Sequence, residues 1–533
     1  MRLRGRGPRV FPACSSGAGD APLAPPGRNP FVHELRLSAL QKIQVAFMTV
    51  TLFPVRLLFA AFMMLLAWPL ALVASLGSAE EEPTQPPTLW RRLVDVLLKA
   101  IMRAMWFAGG FHHVTVKGRQ ALPSEATILT LAPHSSYFDA IPVTMTMSSV
   151  VMKAESRDIP IWGTLIRYIR PVFVSRSDQD SRRKTVEEIK RRAQSGGKWP
   201  QIMIFPEGTC TNRTCLITFK PGAFIPGVPV QPVVLRYPNK LDTITWTWRG
   251  PGALEILWLT LCQFHNQVEI EFLPVYSPSE EERRNPALYA GNVRRVMAEA
   301  LGVSVTDYTF EDCQLALSGG QLRLPADSCL LEFARLTRAL GLRPEKLEKD
   351  LDGYSSIART RGGEKVGLEE FSAFLQVPVS DALQDAFALF DESGCGMVDL
   401  RECVIALSVV CRPAQTLDTI QLAFKMYGAP GDGHIYEDHL ACILRTALGV
   451  AELSVTNLFR AIDGEDKGRI SFADLQRFAE LYPNFAEEYL YPEQRPFHGC
   501  TRTPSTPTPN GFCTDFSPEG SDLGAKPPSK KLD

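Results

Sequence analysis

The sequence predicts an α/β domain behind an N-terminal membrane helix or hairpin, followed by an all-α module of helix–loop–helix hands. Three observations predict it. Leu57 to Gly77 runs for 21 residues without a charge. Between residues 90 and 305, short apolar runs bounded by Gly and Pro alternate with helical patterns, the signature of strands interleaved with helices. Behind residue 377, two stretches place oxygen-bearing side chains and a glycine at the spacing of a calcium loop.

At 533 residues the chain exceeds what one core organises. With 57 basic against 58 acidic residues and a net charge of -1, it lacks the global positive field of a nucleic-acid binder. The 12 cysteines form no Cys-x-x-Cys pair and are read as reduced thiols.

Residues 1–42 form a basic leader, rich in Gly, Pro, Ala and Arg up to residue 30, with the composition of a disordered segment. The anchor covers residues 43–77, with Leu57 to Gly77 as its span. As a helix rising ~1.5 Å per residue, that run reaches about 31 Å, enough to cross a bilayer. It begins too far into the chain, and runs too long, for a cleaved signal peptide. Arg2, Arg4, Arg6, Arg9, Arg28, Arg36 and Lys42 precede it and Glu80, Glu81 and Glu82 follow it, which for a single span leaves the N-terminus cytosolic. Pro54 and Arg56 interrupt the apolar region that begins at Ile43, so a re-entrant hairpin is the alternative.

The α/β domain covers residues 90–305. There Leu93, Val94, Leu97, Leu98, Ile101, Met102 and Met105 recur at helical spacing beside Arg91, Arg92, Asp95, Lys99 and Arg103, as in a helix at a membrane surface or on a core. Strands are expected at Ala126–Leu131, Pro171–Ser175, Gln201–Phe205 and Val230–Leu235. Ala253 to Phe264, among Trp246, Trp248 and Trp258, suits either the membrane interface or a buried helix.

At the exit of the first of these strands lies His134-Ser-Ser-Tyr-Phe-Asp139. Transfer of an acyl group to an alcohol needs a base near neutrality, and an imidazole held in one tautomer by a carboxylate supplies it. A His and an Asp at this separation recur by chance in many proteins, so the pair alone decides little. Three further blocks follow in order: Pro171-Val-Phe-Val-Ser175 delivering Arg176, Phe205-Pro206-Glu207-Gly208-Thr209-Cys210, and the proline-bearing strand Val228-Pro229-Val230-Gln231-Pro232-Val233. Arg176 offers a permanent cation for a phosphate, or is merely a solvated arginine.

These four blocks resemble the glycerophosphate/lysophosphatidate acyltransferase family over residues 90–300, and their wording resembles its lysophosphatidylcholine acyltransferase branch. The resemblance implies that His134 takes the proton of a lysophospholipid hydroxyl, which attacks the thioester of acyl-CoA, while Asp139 orients the imidazole. It also implies that Arg176, Glu207, Gly208, Thr209 and Cys210 line the polar-substrate site. Acyl-CoA is then a substrate, and no organic cofactor is implied. The acceptor it implies is lysophosphatidylcholine, with acetyl transfer to lyso-platelet-activating factor alongside. The competing readings are lysophosphatidate acylation and a calcium-responsive membrane scaffold with an inert acyltransferase domain. A nucleophilic role for Cys210 would need an activating base that the sequence does not show.

Residues 306–376 read as a helical linker with an eroded hand near 359–370, and 377–485 as an EF-hand module. Its first loop offers Asp391, Ser393, the main-chain carbonyl of Met397 and Glu402 as ligands, with Cys395 replacing an oxygen at the fifth position. The second has Asp463, Glu465 and Asp474 but Lys467 at a ligand position, and is the weaker calcium site. Between them 428–439 keeps Gly433 and Ile435 without the carboxylates. The tail, 486–533, closes with Lys530-Lys531-Leu532-Asp533, which matches a dilysine retrieval signal read by coat machinery. Residence in the endoplasmic reticulum membrane is expected, with Golgi and lipid-droplet surfaces added by the resemblance. Asn212-Arg213-Thr214 is a glycosylation sequon beside the Glu207 block and is expected to be unmodified on a cytosol-facing domain.

Overall fold

The computed structural model describes residues 29–75, 89–153, 156–157, 159, 161–174, 179–317, 324, 328–391, 394–413, 415–428, 433–450, 452–482 and 485–490. Arg176, Ser393, Lys530 and Lys531 lie outside them. Two compact units divide the chain, the first ending at Phe310 and the second beginning at Glu311.

The first unit opens with helices α1 (Ala39–Val50), α2 (Leu52–Ser75) and α3 (Leu89–Ala108). It continues through β1 (His113–Gly118), β2 (Ile128–Ala132), α4 (Ala140–Thr146), β3 (Ser149–Lys153), α5 (Trp162–Tyr168), β4 (Val172–Val174), α6 (Gln179–Ala193), β5 (Ile202–Ile204) and β6 (Cys215–Leu216). It closes with β7 (Val230–Arg236), α7 (Ala253–Leu261), β8 (Gln267–Phe272), α8 (Glu280–Arg284), α9 (Pro286–Leu301) and β9 (Ser304–Val305). Seven strands form one sheet in the order β1-β8-β7-β2-β5-β3-β4. β7, β2, β5, β3 and β4 run parallel, whereas β8 pairs antiparallel with β7 and carries β1 with it. Both faces are covered, which explains why Ile128-Leu-Thr-Leu-Ala132 is apolar almost without alternation. Leu129 and Leu131 enter a core with Ile141, Ile166 and Ile256 from α4, α5 and α7. Ile128 and Ala132 point the other way, onto Ile189 of α6 and Val293 and Met297 of α9.

An apolar helix covers most of the expected span, but the break before it lies elsewhere than at Pro54 and Arg56. Pro54 and Arg56 lie inside α2, and the chain breaks earlier, at Thr51. Pro54 is the third residue of α2, where its missing N–H falls among donors that have no helical partner anyway. Arg56 is buried, and its guanidinium donates to the carbonyls of Leu261, Gln263 and Phe264 at 2.9, 2.5 and 2.8 Å. It therefore meets the orphan carbonyls at the C-terminus of α7 instead of interrupting an apolar segment. α1 rests on α7 through Val45 and Met48 against Leu259 and Cys262, and Trp258 donates to Thr49 at 2.8 Å. The stretch 253–264 is thus a core helix on its inner face, with Leu254 and Phe264 exposed.

α2 is long and apolar enough to cross a membrane. Its small residues Ala67 and Ala71 pack on Val94 and Leu98 of α3 and Tyr168 of α5. Its outer face leaves Leu58 71 %, Phe62 57 % and Leu65 54 % exposed. α3 adds exposed Leu89, Trp90, Leu93 and Val96, and α1 adds Leu40, Ile43 and Val50. Exposed apolar area of this kind marks a face that water does not normally cover.

The second unit is helical, with helices at Leu330–Ala339, Pro344–Arg361, Leu368–Leu375, Asp381–Ala388, Leu400–Cys411, Thr416–Tyr427, Glu437–Leu448, Thr456–Ile462 and Phe472–Leu481. Two short antiparallel contacts tie its loops in pairs. Lys365 and Val366 pair with Asp399 and Val398, and Ile435 bridges Ile470. Val366, Val398, Ile435 and Ile470 are all buried, so each pair closes over an apolar seam.

Candidate active site

The site stands at the carboxyl ends of three neighbouring parallel strands. Because β7, β2 and β5 are adjacent, the segments leaving them converge, as they do at the binding crevices of open α/β sheets. β2 delivers His134 and Asp139, β5 delivers Glu207, and β7 delivers Tyr237.

His134 Nδ1 lies 2.7 Å from Asp139 Oδ2. The same oxygen accepts the backbone N–H groups of Ser135 and Ser136 at 2.6 and 3.1 Å. The other carboxylate oxygen accepts the Tyr237 hydroxyl at 2.7 Å. Asp139 is fully buried, which would raise its pKa, but the imidazole, the Ser135 N–H and the Tyr237 hydroxyl hold it below the ordinary carboxylate value. An ionised Asp139 on Nδ1 fixes the tautomer and orientation of the ring and directs proton chemistry to Nε2. The imidazole also packs on Phe205, with ring centroids 4.6 Å apart.

Glu207 has a different role from that expected of it. It is fully buried, and its two oxygens accept the backbone N–H of His134 at 2.7 Å and of Ile217 at 3.3 Å. It braces the main chain under the histidine instead of lining a substrate surface. Burial pushes its pKa up to about 7 against the opposing pull of those hydrogen bonds and of His134. Gly208 turns the chain at a φ of 73°, in the left-handed region that favours glycine. Thr209 and Cys210 are buried behind it, and Thr211 N–H closes onto the His134 carbonyl at 2.8 Å. The structure thus brings His134, Asp139, Glu207, Gly208, Thr209 and Cys210 into one locus.

Two residues that sequence reasoning passed over complete it. Tyr237 follows the last residue of β7, and its ring lies 5.2 Å under the Arg213 guanidinium. Arg213 is paired with Asp242 at 2.5 Å. The only signal for Tyr237 was its place after the proline-bearing strand, whose adjacency to β2 a single sequence does not display. The sequon residue Asn212 is engaged as well: Nδ2 donates to the carbonyls of Asn29 and Val32 at 3.0 and 2.9 Å, and Oδ1 accepts from Thr214 Oγ1 at 2.6 Å. Among the described residues no three His, Cys, Asp or Glu side chains converge as a metal site.

The Acyltransferase family model matches residues 113–236, which contain His134, Asp139 and Glu207. Over its whole length the chain is 83% identical to lysophosphatidylcholine acyltransferase 1 of Homo sapiens, covering 100% of both chains. The chain belongs to the lysophosphatidylcholine acyltransferase family. Within that family it is 65% identical to lysophosphatidylcholine acyltransferase 1 of Danio rerio, over 94% of this chain and 96% of that one. It is 46% identical to lysophosphatidylcholine acyltransferase 2 of Mus musculus, over 97% of each. As a member of this family the chain is an acyltransferase, and His134 and Asp139 form a buried imidazole–carboxylate pair within the matched residues.

Proposed function

We propose that the chain transfers the acyl group of acyl-CoA to the free glycerol hydroxyl of lysophosphatidylcholine, giving phosphatidylcholine and coenzyme A. The observation that carries this reading is the buried His134–Asp139 pair at the ends of β2, β5 and β7, in a chain 83% identical to a protein named for that acceptor. His134 Nε2 takes the hydroxyl proton as the oxygen attacks the thioester carbonyl. The carbon–sulfur bond breaks, and the proton passes from the imidazolium to the departing thiolate. Asp139 stabilises the imidazolium between the two steps, and no acyl-enzyme forms. In His134→Ala, acyl transfer measured with several lysolipids and acyl-CoAs is expected to fall by at least ~10²-fold. Preserved turnover refutes the mechanism. A preference for lysophosphatidate over lysophosphatidylcholine refutes the acceptor.

The protein is expected to lie on the membrane without crossing it. α2 spans about 36 Å at ~1.5 Å per residue. Yet Arg56 near its start is bonded to the end of α7, and Ala67 and Ala71 near its finish pack on α5. Contacts to the α/β domain near both ends of the helix favour a surface arrangement over a crossing. Residence in the endoplasmic reticulum membrane is the compartment proposed, with the Lys530-Lys531 pair in its support.

The helical unit is read as four EF-hands paired two by two through Val366 with Val398 and Ile435 with Ile470. Loop 391–402 is the one proposed for calcium: Asp391 accepts the N–H groups of Cys395 and Gly396 at 3.0 and 2.7 Å, and by sequence position Ser393, the Met397 carbonyl and Glu402 would be the further oxygen ligands. Loop 463–474 fits it poorly, because Lys467 Nζ sits 2.5 Å from Glu465 and Ser471 holds Asp474 as a helix cap. Calorimetry on the full chain is expected to lose its calcium isotherm in Glu402→Gln and to keep it in Asp463→Ala.

A further inference from the structure

Beside the edge strand β4, a basin of about 820 Å³ opens at the finish of α2 and the start of α3. Leu72 and Ser75 of α2 form one wall, and seven Lys and Arg side chains surround the rest, with Glu188 as the single carboxylate among its lining residues. The arginines are crowded. Arg170, Arg191 and Arg192 lie 5.7, 5.0 and 4.3 Å from the ring centroid of one buried indole, Trp199. Glu188 is already taken by Arg191 and Arg192, at 2.7 and 2.6 Å. Arg170 is partly buried and makes no ion pair among the described residues. Burial, with Arg91 and Arg192 nearby, lowers its pKa. Like charges gathered in a low-dielectric recess repel one another, and a cleft of one sign focuses its field on a counter-ion.

The position of the basin selects the anion. Arg170 lies two residues before β4, and Trp199 lies three residues before β5. Both mark the amino-end side of the parallel strands, whereas the catalytic site stands at the carboxyl ends of β2, β5 and β7. The Leu72 wall belongs to the exposed apolar helix, whereas Arg91 begins the amphipathic one. A ligand there meets hydrocarbon on one side and guanidinium groups on the other, the chemistry of a lipid at the level of its headgroup.

We propose that this basin binds the phosphate-bearing headgroup of an anionic phospholipid in the membrane on which the protein lies, and so fixes the end of α2 remote from the active site. The proposal rests on the reading of α2 and α3 as a membrane-surface pair, and its test separates the two. Arg170 and Lys184 are the residues to change, because neither carries an ion pair among the described residues or belongs to the catalytic locus.

The full-length protein is assayed for co-flotation with vesicles of phosphatidylcholine alone and of phosphatidylcholine with phosphatidylserine. Phosphatidylserine is expected to tighten binding of the wild type. The double variant Arg170→Gln/Lys184→Gln is expected to lose about fivefold per cation removed, roughly 25-fold in all, on the anionic vesicles. Binding to neutral vesicles and acyl transfer in neutral micelles should be unchanged. Arg170→Glu, a single change, should show the same selective loss more steeply. A double variant that keeps the full phosphatidylserine response overturns the proposal alone. So does a raised KM for acyl-CoA on neutral vesicles, which would assign the basin to the phosphates of the donor. Failure of the wild type to float with either vesicle overturns the membrane-surface reading and the proposal with it.

Discussion

Replacing Tyr237 by Phe removes one hydroxyl and leaves the ring beneath Arg213. That hydroxyl is 2.7 Å from Asp139 Oδ1, whose other close partners all bind Oδ2, the Ser135 hydroxyl reaching Oδ1 only at 3.3 Å. A hydrogen bond to a buried carboxylate contributes about 1.5–3 kcal/mol, so the variant should lose stability of that order. Part of the same energy positions the carboxylate that stabilises the imidazolium. If about 1.4 kcal/mol of it is expressed in the transition state, kcat falls about tenfold with KM for either substrate little changed. The sign of the pH effect follows from charge. Without the phenol, more negative charge remains on Asp139, His134 becomes more basic, and the acid limb of kcat/KM moves to higher pH. Steady-state kinetics across pH, with a thermal melt on the same preparations, measures all three effects. A variant less stable but unchanged in kcat and pH profile would make Tyr237 a structural residue only, and a rise in KM alone would place it against substrate.

Three further outcomes follow from the geometry. Glu207 has a folded pKa of about 7, above its ordinary 4.5, so its contribution to stability is full below pH 4.5 and fades as the pH rises through 7. Relative to Glu207→Gln, the wild type should therefore lose about 3 kcal/mol across that window, and parallel melting curves for the two would show that the carboxyl is not so perturbed. Arg56→Met should lower stability by roughly 2–4 kcal/mol, since it strands the carbonyls of Leu261, Gln263 and Phe264; an unchanged melting temperature in detergent would refute that capping role. Asn212 should carry no glycan in cells, and Asn212→Gln should sensitise residues 29–38 to protease by releasing Asn29 and Val32; a glycosidase-sensitive mass lost in that variant would refute it.

His134 and Asp139 were legible because they are five positions apart at the exit of one apolar strand, so a single stretch of chain carries both base and orienter. Tyr237 binds the same carboxylate from 98 positions away, and only the sheet order, which sets β7 beside β2, makes them neighbours. Glu207 was found for its motif but assigned to substrate, because a carboxylate after a strand reads as a surface group until its backbone partners are seen. Of the five parallel strands, β2, β4, β5 and β7 are read to within a residue or two, since burial leaves an unbroken apolar signal, and β3 (Ser149–Lys153) is not among the expected strands. β1 and β8 were missed because they alternate with polar residues at the edge side of the sheet: Thr115 and Lys117 in β1, Glu269 and Glu271 in β8.

The misreading at Pro54 and Arg56 has the same physical origin. Rules for apolar segments treat a charge as something that must reach water, and a proline as something that must break a helix. Each holds unless the structure supplies a compensating group. Pro54 needs none, lying in the first turn, and the groups that Arg56 needs lie 205 to 208 positions further along. Those partners are main-chain carbonyls at the end of α7, so no side-chain identity there advertises them. The interaction ties the apolar helix to α7, whose first residue, Ala253, accepts a hydrogen bond from Tyr137 within the catalytic motif at 3.0 Å. One helix thus links the buried cation near the start of the apolar α2 to the loop that carries His134 and Asp139. A substitution at Arg56 should consequently perturb kcat as well as stability, whereas one at the exposed Leu58 or Phe62 should weaken membrane association alone.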